Sequence, residues 1–259
     1  MNQTDEIAVS VDDSYVATVE IRRPPNNYFD VELITALADV FARLDEDDAC
    51  RAIVLCSEGR HFCAGANLGG AGEAQQFQPG QGGDLYREAV RIFRGRLPVV
   101  AAVQGAAIGG GLGLACAADF RVASPRSRFA ANFSLLGFHH GFGLTVTLPR
   151  IVGNQQAQSM LYTGRRVPGE EALAMGLCDR LTEPELIRAE SHALAAEIAR
   201  AAPLAVRSIR ETLRGGLAKQ VEEATIRENA EQERLRQTVD FAEGIAATTE
   251  KRTPGFLGR

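Results

Sequence analysis

The sequence predicts an α/β layer fold in one domain, with a helical extension toward the C-terminus. Three observations carry this. Strand-like and helix-like patterns alternate over about the first two thirds of the chain, only helical patterns follow about residue 200, and no low-complexity linker divides the two parts. The expected division is residues 1–200 as a strand-and-helix body and 201–259 as a helical region. With 259 residues, 45% of them hydrophobic, the chain can bury one substantial core.

Each element has its own reason. IAVSV and YVATVEI, separated by the turn-forming DDS, read as a strand pair. FDVELITALADVFARLDED spaces its apolar residues at three and four, with Asp30 placed to cap it, and reads as an amphipathic helix. AIVLC is a short β-branched run and so a buried strand. NLGGAGEAQQFQPGQGGD has no periodicity and reads as a mobile loop before the helix DLYREAVRIFRG. LPVVAAVQG is a strand, GGLGLACAA a short helix and DFRVAS a third core strand. Beyond residue 200, APLAVRSIRETLRGG is a helix ending at a glycine pair. The charged stretch from Ala218 to Lys251 is helical with an apolar stripe, to be buried on the body or on another subunit.

Composition excludes several classes of function. A net charge of −5 argues against a nucleic-acid partner. Arg87, Arg91 and Arg94 share one helix face, either a solvated face or a seat for an anion. The five cysteines, Cys50, Cys56, Cys63, Cys116 and Cys178, are scattered and odd in number, which indicates neither disulfides nor zinc. The opening MNQTDEIAVSVDD lacks the basic-then-apolar order of a secretory signal, and no apolar run reaches the ~18 residues of a membrane span. A cytoplasmic protein without a membrane partner is expected.

Gly109, Gly110 and Gly111 lie between a strand and a helix, where unpaired backbone N–H groups meet the positive end of the helix dipole. Without a side chain, Gly110 can present its amide to a developing oxyanion; a tight turn with no ligand is the alternative. A dinucleotide fingerprint fails because Leu114 stands where its third glycine belongs. GRHFCAGANLGG gives a second strand end feeding a small-residue turn at Ala64 to Ala66. Two such turns on neighbouring strand ends can aim two amides at one carbonyl oxygen.

FCAGANL, AAVQGAAIGGGLGLACAADFRVA, LPRIVGNQQAQSMLYTGRRVPGEEALAMGLCDRL and the terminal KRTPGFLG occur in an order and spacing that resembles the crotonase superfamily, the enoyl-CoA hydratase/isomerase family. The likeness runs from RRPPNNYFD to the last residues. It implies a crotonase-like spiral of repeated ββα units with a C-terminal helical trimerisation region, a homotrimer or homohexamer, and an acyl-CoA thioester as ligand. Coenzyme A enters as part of the substrate, and no further cofactor is implied. The two oxyanion-hole amides fall on Ala66 and Gly110. The adenine is placed against the backbone near Cys63 to Ala66, Ala64 included, with Arg23 a candidate for the phosphates or else charge-paired. Lys251 and Phe256 are placed near a neighbouring subunit's nucleotide, Phe256 alternatively serving in packing.

The acid and base positions depart from the family. The two hydratase glutamate positions hold Gly113 and Phe133, and the isomerase carboxylate position holds Gly141. Syn hydration needs groups that exchange protons, so simple hydration is disfavoured against isomerase, decarboxylase or hydrolase-like chemistry. Beside these positions stand His139 and His140. Adjacent residues on an extended turn point to opposite sides, so one ring faces the ligand, with His140 favoured; a structural or surface turn is the alternative, and a metal site lacks partners. His61 is expected to be exposed and His192 isolated. Asp84 and Glu88 are further candidate bases or else a solvated helix face. Phe133, Phe138 and Phe142 suggest an apolar acyl pocket or belong to the core. Two functions follow: an enzyme of CoA-thioester chemistry, or an acyl-CoA binding protein that has shed it.

Overall fold

The computed structural model describes residues 6–67 and 81–259. Most of the loop expected over NLGGAGEAQQFQPGQGGD, residues 68–80, lies outside them. Its last residues, from Gln81, already belong to the following helix.

The strand pair is β1 (Ile7–Val11) and β2 (Val16–Ile21), followed by α1 (Val31–Asp45). Asp30 caps α1, accepting the Leu33 N–H at 2.8 Å. Then come β3 (Ala52–Ser57), α2 (Gln81–Arg94), β4 (Val99–Val103), β5 (Ala106–Ile108), α3 (Gly110–Ala117), β6 (Phe120–Ala123), β7 (Arg128–Ala130) and α4 (Leu144–Thr163). The body ends with β8 (Arg166–Pro168), α5 (Gly169–Ala174), β9 (Arg180–Leu181) and α6 (Ile187–Ala199).

The sheet pairing explains the repeat. β1-β2-β3-β4-β6-β9 form one sheet, antiparallel between β1 and β2 and parallel from β2 to β9, and β5-β7-β8 form a second. In β4–β5–α3 the first strand joins the large sheet, the second joins the small one, and a helix follows. The segment β6–β7–α4 does the same. The glycine turn therefore leaves β5, a strand the sequence reading merged into the run after β4.

β3 is buried along its whole length because both faces of the large sheet are covered. Ile53 and Leu55 face the core that contains α1, whereas Ala52, Val54 and Cys56 face the core under α6. This period of two fixes the register, since a one-residue slip would exchange the two sets.

The C-terminal region contains α7 (Pro203–Arg214), α8 (Leu217–Leu235) and α9 (Val239–Glu250). The stretch expected to be helical from Ala218 to Lys251 is divided between α8 and α9, because Thr238 takes an extended conformation and its hydroxyl accepts the Phe241 N–H, capping a new start. α8 packs on α2 and α4, and α9 on the short 3-10 turn Ser134–Leu136. α7 buries none of its residues. Among the described residues, no helix is long and apolar enough to cross a membrane.

Candidate functional site

The chain segment leaving β3 pairs with β5: Cys63 N–H donates to Ala106 O at 2.9 Å, and Ile108 N–H to Cys63 O at 3.0 Å. Two residues on, Phe29 N–H donates to Gly65 O at 3.1 Å. These bonds set the turn after β3 against the start of α3, so that Ala66 and Gly110 line one cavity of about 380 Å³. Among the described residues neither of their amides is tied to a protein acceptor. Gly110 begins α3, so its N–H has no partner within the helix. Bare backbone is required here: a Cβ on Gly110 would enter the Phe29 ring, and one on Gly111 would meet the Cys63 carbonyl.

Phe29, Phe133, Leu136, Phe138 and Phe142 line the same cavity. Phe29 and Phe142 meet edge to face at 5.6 Å, and Phe133 and Phe138 at 5.5 Å. The polar part of the lining includes Tyr86, Asn132, Gln232 and Arg236.

Aromatic side chains occupy the space beside Gly113 and Gly141. A Cβ on Gly113 would lie 2.6 Å from Phe142 Cβ. Phe142 itself has φ 60, a left-handed conformation costly for a bulky residue. The following turn is held by Glu228, which accepts the Gly143 N–H at 2.9 Å and the Thr145 N–H at 3.0 Å. A Cβ on Gly141 would fall on the Tyr86 hydroxyl. Tyr86 donates to Gln232 Oε1 at 2.8 Å, and Gln232 Nε2 donates to the His139 carbonyl at 2.9 Å. Burial, then the nearby Glu228 charge, raises the Tyr86 pKa. The phenol stays protonated and can donate but not serve as a base.

His139 and His140 are not on this cavity wall. Their rings stack at 4.1 Å and 25°, contrary to the expectation of opposite sides, in a segment bounded by left-handed Gly137 and left-handed Phe142. Thr145 Oγ1 donates to Glu228 Oε1 at 2.6 Å and so accepts from His140 Nε2 at 2.8 Å, which places the His140 proton on Nε2. Burial first, and the neighbouring His139 second, lower the His140 pKa to about 4. The imidazole is therefore neutral near pH 7, and its 4.0 Å approach to Glu228 is not an ion pair there.

The other expected residues divide. Ala64 lines the cavity, whereas Cys63 lies behind it with its N–H and C=O spent on β5. Arg23 is paired with Glu6 at 2.5 Å and Asp30 at 2.6 Å. Lys251 caps the end of α9, and Phe256 is exposed beyond it; neither lines the cavity. Asp84 pairs with Arg87 and Glu88 with Arg91, away from the cavity wall; Arg91 also meets Asp39, and Arg94 meets Glu222. His61, expected to be exposed, is half-buried because its Nδ1 accepts the Ala106 N–H at 3.1 Å. His192 meets Asp12 at 2.5 Å.

The chain matches the sequence model of the enoyl-CoA hydratase/isomerase family over residues 12–259. It belongs to that family. The crotonyl-CoA hydratase of Syntrophomonas wolfei is 30% identical over 247 residues, 94% of this chain and 95% of that protein. The carnitinyl-CoA dehydratase of Proteus mirabilis is 33% identical over 251 residues, again 94% and 95% of the two chains. A crystal structure of an enoyl-CoA hydratase/isomerase from Pseudoalteromonas atlantica superposes with a TM-score of 0.85 at 32% identity, covering 97% of this chain and all of that one. The fold is that of the crotonase superfamily, and the chain is an acyl-CoA enzyme of this family.

Sequence reasoning missed Tyr86, Gln232 and Glu228. Tyr86 was legible only as an aromatic in a helix, although its place on the α2 face away from Arg87 and Arg91 was a signal that it turns inward. Glu228 and Gln232, four residues apart on α8, were read as part of a charged helix.

Proposed function

We propose that this enzyme uses Ala66 and Gly110 N–H groups as an oxyanion hole, and that its reaction is decarboxylation of a 2-carboxyacyl-CoA rather than hydration. The observation that carries the proposal is the replacement of carboxylates by aromatic side chains, with the Tyr86 phenol beside Gly141. Among the described residues the cavity wall holds no carboxylate. Isomerisation requires a base to take a proton from carbon, and thioester hydrolysis requires one to activate water. Decarboxylation requires only a place for electrons and a proton donor. The bond between Cα and the carboxylate breaks, CO₂ leaves, and its electron pair forms the thioester enolate held by the two amides. Rotation about the Tyr86 C–O bond then delivers the phenolic proton to Cα, and solvent restores it.

The test is release of CO₂ from methylmalonyl-CoA, with deuterium appearing at Cα in D₂O. Tyr86→Phe should lower turnover by ~10² while leaving thioester affinity within a few fold. His140→Ala should do much less. Fast hydration of crotonyl-CoA, or equal turnover in Tyr86→Phe and wild type, would overturn the reading. Tight thioester binding with no chemistry would favour the binding-protein function instead.

We also propose that the chain forms trimers, singly or in pairs. Leu204 and Leu213 on α7 are 78% and 68% exposed, an arrangement suited to burial against a second copy. A stable monomer in sedimentation at micromolar concentration would refute it.

A further inference from the structure

We propose that a cationic cleft at the carboxyl ends of β3, β4 and β6 binds a small phosphate-rich anion of the pyrophosphate class, separately from the acyl-CoA cavity. These strands are parallel neighbours, so their carboxyl ends open on one edge of the sheet, where ligand crevices form in such folds. The cleft is about 660 Å³, and its lining comes from the turns after those strands and from the start of α6. It shares no lining residue with the acyl cavity. The segment after β3 runs between the two, presenting Ser57 and Gly59 to His61 at the cleft and Ala64 to Asn67 at the cavity.

Four arginines and a histidine face this space: Arg60, Arg126, Arg128, Arg188 and His61. Their charge is largely uncompensated. Among the described residues, neither Arg60 nor Arg126 has a carboxylate partner, and the Arg128 guanidinium donates only to the carbonyls of Pro125 and Ser127. Arg188 is the exception, pairing with Glu20 at 2.5 Å and donating to Ser57 O at 2.7 Å. Among the described residues, the one carboxylate on the wall is Glu185. Because His61 Nδ1 accepts the Ala106 N–H, its proton lies on Nε2 and is available as a donor.

Like charges gathered in one concavity repel, and a bound anion offsets that repulsion. Guanidinium forks match phosphate oxygens two at a time, and several around one cleft suit two linked phosphates better than a single carboxylate.

The experiment is calorimetric titration of sodium pyrophosphate into the full chain already saturated with butyryl-CoA. One site per chain is expected, weakened at least ~10-fold by Arg60→Gln and by Arg126→Gln, with butyryl-CoA affinity unchanged in both. Loss of the pyrophosphate site when butyryl-CoA is bound would assign it to the nucleotide end of the acyl-CoA site and overturn the proposal. So would wild-type affinity in both variants. A third contrary outcome is wild type that ignores pyrophosphate while either variant sediments as a smaller species, which would make the cleft a subunit interface. Circular dichroism verifies folding of each variant, and Arg128→Gln replaces any that fails.

Discussion

The two walls of the acyl cavity are built on different principles. One is backbone: Ala64 to Ala66 and Gly109 to Gly110 line it, and in the proposed function Ala66 and Gly110 act there through their N–H groups. The other is side chain: Phe133, Phe138, Phe142 and Tyr86 act through rings and a hydroxyl gathered from separate elements. In the backbone wall a Cβ added at Gly65 would meet the Ile108 carbonyl and one at Gly110 the Phe29 ring, whereas the side-chain wall is assembled from groups on separate elements. In the proposed function, that difference lets the oxyanion site be kept while the acid and base groups change.

The strongest way to break the comparison is Gly110→Ala. Alanine keeps the N–H, so a purely chemical view predicts no effect. Its Cβ would nevertheless enter the Phe29 ring and displace the turn. A loss of ~10³ in turnover is expected, about 4 kcal/mol of transition-state stabilisation, with the circular dichroism spectrum unchanged. Adding Phe29→Ala should restore part of it. Unchanged turnover in the single variant would show that the turn is not confined as described. Tyr86→Phe, with its expected loss of ~10², probes the facing wall and should respond to no second substitution at Phe29.

The same contrast governs what could be read in advance. Ala66 and Gly110 were legible because small residues at two neighbouring strand ends leave a local trace in the sequence. The elements of the body were legible for a related reason: the short apolar run of β3 and the Asp30 cap of α1 are local signals. Tyr86 was not, since its meaning depends on Gly141, 55 positions away, leaving room for its hydroxyl. Nor was the position of the histidine pair. An extended turn would separate the rings, but left-handed Phe142, stabilised through Glu228 from α8, lets both lie on one side. Distant contacts decided each case, and no window of sequence contains them.

His140 offers the smallest and most quantitative test. Its proton affinity falls from the ordinary value of ~6.5 in the unfolded chain to about 4 in the folded one, through burial and then the neighbouring His139. Between those values the unfolded chain holds more protons, so stability is complete above about pH 6.5 and drains as pH falls toward 4. From pH 6.5 to 5 the loss should be about 2 kcal/mol. Glu228, 4.0 Å from the ring, acts with the opposite sign: burial raises its pKa, and its contribution falls as pH rises. The two are separated by His140→Gln, which keeps a donor for Thr145 but removes the titration. In urea unfolding, the stability advantage of wild type over His140→Gln should shrink by about 2 kcal/mol between pH 6.5 and 5. A difference independent of pH would show that the fold does not hold this imidazole neutral, and would return His140 to contention as a proton-transfer group near neutral pH.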